Sequence, residues 1–218
     1  MEYTADLQKY LQLYAVTDRR YGQGTLAERI AAALKGGVTM VQLREKHLSA
    51  EEFMRETKEI GQIAASFHVP LIINDCLEAA LCEEAAGLHI GQTDMEAGTA
   101  RKALGPEKIL GVSAATLEEA LAAEAAGADY LGVGAIFPTA TKTDARTVSL
   151  TELRKICQTV KIPVVAIGGL GTENLPLLKG SGIAGAAVVS ALFAAPDIAK
   201  AAATLKQQLE EITGGATL

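Results

Sequence analysis

Residues 132–142 read GVGAIFPTATK: an apolar run, a proline, then small hydroxyls and a lysine. The apolar part belongs to a β pattern that starts at Asp129 and reaches Ala135, and Pro138 breaks it. Thr139, Thr141 and Lys142 then stand at the carboxyl end of that strand. Backbone N–H groups, two hydroxyls and an ammonium converging there can cradle a phosphate. Gly132 and Gly134 are expected to leave room for the bound molecule. An ordinary surface loop is the competing reading, since threonine and lysine are common in loops.

Outward from this stretch the same alternation repeats. Short β-rich runs fall at 13–17, 39–44, 71–74, 87–90, 109–113, 130–135, 164–167 and 186–190, eight in all. Several, such as LYAVT, VPLII, PVVAI and AAVVS, are apolar nearly throughout, as parallel strands buried on both faces are. Helical patterns cover 26–35, 50–67, 77–84, 96–104, 117–126, 150–159, 173–179 and 198–212. Ser49 with Glu52, and Thr116 in TLEE, predict capping boxes. Gly36-Gly37, Ala86-Gly87, Ala126-Gly127 and Ser181-Gly182 are expected to end helices. Eight β-then-α units in 218 residues predict one (β/α)8 TIM barrel domain spanning 1–218, with residues 213–218 as a frayed tail. An open doubly wound sheet is the alternative, and it needs fewer strands.

The chain is 49% hydrophobic, only 4% aromatic and free of tryptophan, which suits close helix-on-strand packing. Its formal charge is −6 with Lys and Arg scattered, so no basic stripe marks it for nucleic acid. An anionic ligand must then be held by local donors or a metal. No apolar run reaches the roughly 18 residues that a membrane span needs. The N-terminus, MEYTADLQKY, lacks the apolar core of a signal peptide. Cys76, Cys82 and Cys157 fall inside apparent helices without metal-ligand spacing, and their odd number points to a reducing, cytoplasmic setting. These features leave a homo-oligomer open.

In such a barrel the chemistry lies at the carboxyl ends of the strands. Gln42, Arg44 and Lys46 alternate along the second strand end and share one side. Asn74 and Asp75 end the third strand, Asp94 follows the fourth, Ser113 ends the fifth, Gly168-Gly169 the seventh, and Val189-Ser190 the eighth. Singly, each has a plainer reading: Arg44 and Lys46 paired with Glu45 in solvent, Asp75 and Asp94 as helix N-caps, Ser113 and Ser190 as caps. Together they put cations, two carboxylates and two anion cradles on one rim. Carboxylates beside cations suit a magnesium–pyrophosphate site, because Mg²⁺ takes hard oxygens from one or two carboxylates, phosphate and water. The glycine-rich ends of strands seven and eight suit a separate phosphate monoester. Two phosphate sites on one rim imply joining two phosphorylated substrates or moving a group between them.

At this point the chain resembles the thiamine phosphate synthase family, from LYAVTD at 13–18 to AAVVSAL at 186–192. The resemblance is carried, in order, by VQLREK (41–46), IIND (72–75), GLHIGQTD (87–94), GVS (111–113), FPTATK (137–142), VVAIGG (164–169) and VVSA (188–191). It implies a (β/α)8 barrel that joins a hydroxymethylpyrimidine diphosphate to a thiazole phosphate, carboxylated or plain, giving thiamine phosphate and pyrophosphate. It implies that Gln42, Arg44, Lys46, Asn74, Ser113 and Lys142 face the pyrimidine diphosphate. It implies further that Asp75 and Asp94 bind Mg²⁺, and that Thr139, Thr141, Gly169, Val189 and Ser190 hold the thiazole phosphate. Cys76 stands where the family often has Arg, and Ala115 where it often has His.

The mechanism expected on chemical grounds is dissociative. An electron-rich aminopyrimidine supports a benzyl-like cation when diphosphate leaves, and Mg²⁺, Arg44, Lys46 and Lys142 stabilise the departing charge. Positioning then lets the thiazole nitrogen capture the cation without a protein nucleophile or general base. A thiazole tautomerase of the same superfamily is one rival; it needs a proton shuttle and has no use for both Asp75 and Asp94. A non-catalytic barrel that binds a thiazole phosphate is another, and it would release no pyrophosphate. Residues 143–149 form the expected lid.

Overall fold

Both faces of each apolar run are covered, and this is what holds the runs as strands. The computed structural model describes residues 6–141 and 146–214. Among them β1 (Leu13–Val16), β2 (Met40–Leu43), β3 (Leu71–Asn74), β4 (Gly87–Ile90), β5 (Ile109–Ala114), β6 (Tyr130–Val133), β7 (Val164–Ile167) and β8 (Gly185–Val188) pair in parallel and in chain order. β8 closes on β1, with Leu13 opposite Ala186, so the sheet has no free edge. The closed barrel excludes the open-sheet alternative.

Alternate residues divide between two cores. Tyr14, Met40, Ile72, Ile109, Tyr130, Val165 and Ala187 fill the barrel, and Leu13, Val41, Ile73, Leu88, Leu110, Leu131 and Val164 pack outward. The outer layer is α2 (Leu26–Lys35), α3 (Ala50–Ser66), α4 (Leu77–Ala80), α5 (Ala97–Leu104), α6 (Leu117–Ala125), α7 (Leu150–Thr159), α8 (Ser190–Phe193) and α9 (Ile198–Thr213). A short α1 (Leu7–Tyr10) precedes β1, and its Leu7 joins the inner core together with Leu11. Among the described residues no helix is long and apolar enough to cross a membrane.

Several expectations need correction. β6 ends at Val133, because Ala135 bonds instead to Arg146 and Val148 at 2.9 and 2.8 Å. The 77–84 pattern is helical only over Leu77–Ala80, and 173–179 holds only a 3-10 turn at Leu175–Leu178. Ser49 makes its capping box with Glu52. At α6 only half the box forms: Thr116 accepts the Glu119 N–H, while the Glu119 carboxylate takes the Ala115 N–H at 2.6 Å. A full capping box also forms at Thr25 and Glu28. Gly87 opens β4 rather than closing a helix, and Cys76 is the N-cap of α4 rather than a helical residue. Residues 215–218 of the expected tail lie outside the described residues.

Candidate active site

Thr17, just past β1, anchors the cationic segment that follows β2: its hydroxyl accepts the Arg44 N–H at 2.8 Å. Gln42 is buried, Arg44 half-buried and Lys46 exposed. Glu45 turns the other way and takes Arg19 at 2.7 Å; Arg19 also bonds Glu56 on α3. Pairing of Glu45 with Arg44 or Lys46, the plainer reading of this segment, is therefore not found among the described ion pairs.

Asp75 and Asp94 come from the ends of β3 and β4. The Asp75 N–H donates to the His89 carbonyl at 2.9 Å, and Asp75 holds φ at +62°, a left-handed conformation uncommon outside glycine. Neither carboxylate caps a helix. Cys76 stands at the N-cap of α4, and Glu96 caps α5 by accepting the N–H groups of Gly98 and Thr99. Asp94 instead accepts the Gly91 N–H at 2.7 Å. The Asp75 carboxyl is pushed from 3.8 to about 6, first by burial and then by Asp94 lying against it, with Asn74 and Arg44 pulling the other way. Asp75 has an exposed surface, so like-charge crowding is the cause that persists in water. Among the described residues no third His, Cys, Asp or Glu joins them in a metal-binding group. Two converging carboxylates suit a hard divalent ion that completes its shell with ligand oxygens and water.

The far side of the rim is a cleft of about 470 Å³, whose walls include Thr139, Gly169, Ser190, Tyr21 and Asn174. The Thr139 hydroxyl accepts the Thr141 N–H at 3.2 Å, so its own proton is left to donate. Gly168 and Gly169 hold φ at +99° and +62°, and a Cβ on Gly169 would meet the Pro138 carbonyl at 2.5 Å. Asn174 secures that turn, its amide donating to the Gly169 carbonyl at 2.8 Å while its oxygen accepts the Gly171 N–H at 2.9 Å. Ser190 opens α8, with Val189 at its N-cap rather than at a strand end. A smaller cleft of about 290 Å³ beside α3, lined by Arg19, Arg55 and three glutamates, holds none of the expected site residues.

The model of a family described as thiamine monophosphate synthase matches residues 13–192. The chain belongs to that family. It is 51% identical over 199 residues to a thiamine-phosphate synthase 2 of Streptococcus pneumoniae, covering 90% of this chain and 95% of that one. A thiamine-phosphate synthase of Clostridium tetani is 48% identical over 203 residues, covering 93% and 94%. The solved structure of a thiamine phosphate pyrophosphorylase from Pyrococcus furiosus superposes with a TM-score of 0.88 at 40% identity, covering 94% of this chain and 98% of that one.

In this thiamine monophosphate synthase family member, Gln42, Arg44, Asn74, Asp75, Asp94 and Ser113 gather on one half of the rim, and Thr139, Gly169 and Ser190 on the other. Lys142 and residues 143–145 of the expected lid lie outside the described residues; residues 146–148 return to Ala135, and Ser149 caps α7. Gly132 and Gly134 do not leave room for a ligand. A Cβ on Gly132 would stand 3.1 Å from the His89 ring, and one on Gly134 would stand 2.0 Å from the Ile167 carbonyl. His89 on β4 stands outside the expected site residues, yet its Nε2 lies 2.9 Å from Ser113 Oγ. Asp18 and Arg20, also outside the expected site residues, pair just beyond β1. Arg20 donates to Asp18 at 2.6 Å, holding that carboxyl below the usual range, and reaches the Thr141 carbonyl at 3.2 Å. No periodicity marks these residues; only adjacency of the β1 and β6 loops does.

Proposed function

We propose that this chain condenses an aminopyrimidine methyl diphosphate with a thiazole phosphate, giving thiamine phosphate and pyrophosphate. The observation that carries the reading is the division of one rim. Paired carboxylates with Arg44 beside them occupy one half, and a cleft walled by Thr139, Gly169 and Ser190 the other. The relatives named above are thiamine-phosphate synthases, which favours this reading over a tautomerase or a non-catalytic binder.

In this reading Gln42 and Asn74 orient the pyrimidine, and Arg44, Lys46, Ser113 and Lys142 face its diphosphate. Asp75 and Asp94 would hold Mg²⁺, which when bound supplies charge neutralisation to the diphosphate. The methylene carbon–oxygen bond breaks with its electron pair leaving on diphosphate, and the ring's amino group spreads the resulting positive charge. Arg44 and Lys46 attract the leaving charge as it grows. Thr139, Thr141, Gly169, Val189 and Ser190 hold the thiazole phosphate so that the ring nitrogen's lone pair meets the cation and forms the carbon–nitrogen bond. No proton is transferred in that sequence, so no general base is needed. The three free cysteines fit a reducing, cytoplasmic setting.

The test is a coupled pyrophosphate-release assay with both substrates and with each omitted. Release that requires both supports the transferase. Isomerisation of a thiazole phosphate without pyrophosphate release would support the tautomerase instead.

A further inference from the structure

Beneath the rim, polar side chains cross the barrel interior in one unbroken line. Gln42 Nε2 donates to Tyr14 Oη at 2.8 Å, and Tyr14 Oη lies 2.8 Å from Tyr130 Oη. Tyr130 Oη lies 2.9 Å from His89 Nδ1, and His89 Nε2 lies 2.9 Å from Ser113 Oγ. The five residues belong to β2, β1, β6, β4 and β5. Tyr14 is 1%, Tyr130 0%, Gln42 4% and His89 7% exposed. Apolar side chains could fill the same space without having to satisfy so many polar atoms. Two inward glycines make room for the line: a Cβ on Gly111 would stand 2.2 Å from the Tyr130 ring, as one on Gly132 would crowd His89.

The line has a direction. An amide nitrogen can only donate, so Tyr14 Oη accepts from Gln42. Burial keeps both tyrosines as neutral phenols, and the other hydrogen-bond partner described for the Tyr14 hydroxyl is Tyr130. Tyr130, having accepted, gives its proton to His89 Nδ1. A neutral imidazole that accepts at Nδ1 carries its proton on Nε2 and donates to Ser113. Among the described residues the line therefore ends with the Gln42 carbonyl oxygen undonated on β2 and the Ser113 O–H undirected on β5.

We propose that Tyr14, Tyr130 and His89 are positioning residues whose one-way hydrogen-bond line fixes Gln42 as an acceptor and Ser113 as a donor, so that the site selects a 4-aminopyrimidine over its 4-oxo counterpart. This rests on the transferase reading for the substrate class. A 4-amino group donates and the neighbouring ring nitrogen accepts, whereas the 4-oxo ring reverses both roles. The opposite polarity would turn the Gln42 amide hydrogens outward and favour the oxo ring.

Calorimetry with the amino and oxo pyrimidine diphosphates, in magnesium, tests it. The wild type should bind the amino compound at least about 100-fold more tightly, since a mismatched polar edge leaves buried groups unpaired. Tyr14→Phe removes the acceptor that holds the Gln42 amide. It should cut that preference at least tenfold while leaving thiazole phosphate binding unchanged. An unchanged preference, or equal weakening of both substrates, would overturn the proposal. ¹⁵N spectroscopy of the wild-type His89 ring, needing no variant to fold, should find the proton on Nε2; a proton on Nδ1 would overturn it too. A wild type that binds neither diphosphate would end this proposal and the transferase reading together. One that binds the amino compound with the expected preference but releases no pyrophosphate would end only the transferase reading.

Discussion

The two ends of the barrel use the same residue types to opposite effect. At the amino-terminal end Arg101 donates to the carbonyls of Gly127, Gly105 and Lys108 at 2.9, 2.8 and 2.8 Å and bonds Asp129. Asp129 also accepts the Leu110 N–H at 2.7 Å, and Lys108 donates to the carbonyls of Cys82 and Ala85 at 2.7 and 2.6 Å. Every one of these charges ties down backbone between strands. At the carboxyl-terminal end Asp75 and Asp94 crowd each other, and Asp75 sits in a left-handed conformation. One end satisfies its charges internally and stabilises the barrel. The other keeps like charges together, which favours the fold less and a cationic ligand more.

The comparison breaks most visibly at the carboxylates. Asp75→Asn and Asp94→Asn should each lower turnover about 100-fold at limiting magnesium and raise the magnesium needed for half-maximal activity. The double variant should be nearly inactive, with melting temperatures close to native. Wild-type activity of both single variants at limiting magnesium would refute the metal site. Next in size, Lys142→Ala should lower turnover about 100-fold with little change in the thiazole phosphate Michaelis constant, if it acts on the leaving charge as proposed. Normal turnover with a raised thiazole constant would move Lys142 to the other half of the rim.

Substitution at the closed end should do the reverse. Arg101→Ala should lower stability by about 2–3 kcal/mol in denaturant titration, because several carbonyls and Asp129 lose their donor. Michaelis constants should stay as in the wild type; a change in them would mean the two ends are coupled. The smallest effect sharpens the electrostatic half of the comparison. The Asp75 carboxyl is raised from 3.8 to about 6, so in that window the folded state binds more protons than the unfolded one. Without metal, the contribution of Asp75 to stability should therefore fall as pH rises from about 4 to about 6. Thermal melts of Asp94→Asn across that range should show a flatter dependence, and an identical slope would mean that burial outweighs the neighbouring charge.

Much of the barrel was readable from local pattern. The strands sit within two residues of the apolar runs at each end, and α2 and α7 match their periodic segments residue for residue. Sequence spacing also foresaw that Asp75 and Asp94 could meet, since adjacent parallel strands bring their ends together. Elements too short to show a period, α1 and α8, left no such signal. Nor did the four-residue 3-10 turn at Leu175–Leu178.

The alternation of apolar runs and amphipathic segments by itself determined eight parallel β-then-α units and the rim that carries chemistry, because burial on two faces dictates both the strands and their parallel order; closure of β8 on β1 was decided by the tertiary structure. What only the tertiary structure decided is which polar residues become partners. Tyr14 and Tyr130 lie 116 positions apart and meet because barrel closure sets β1 and β6 facing inward at one height, with Gly111 and Gly132 opening the space between. The left-handed turn at Asp75 and the diversion of Glu45 to Arg19 are likewise set by neighbours distant in the chain. Local sequence encodes periodicity and propensity; pairing across a barrel depends on register and on the volume left by other side chains, which no single stretch contains.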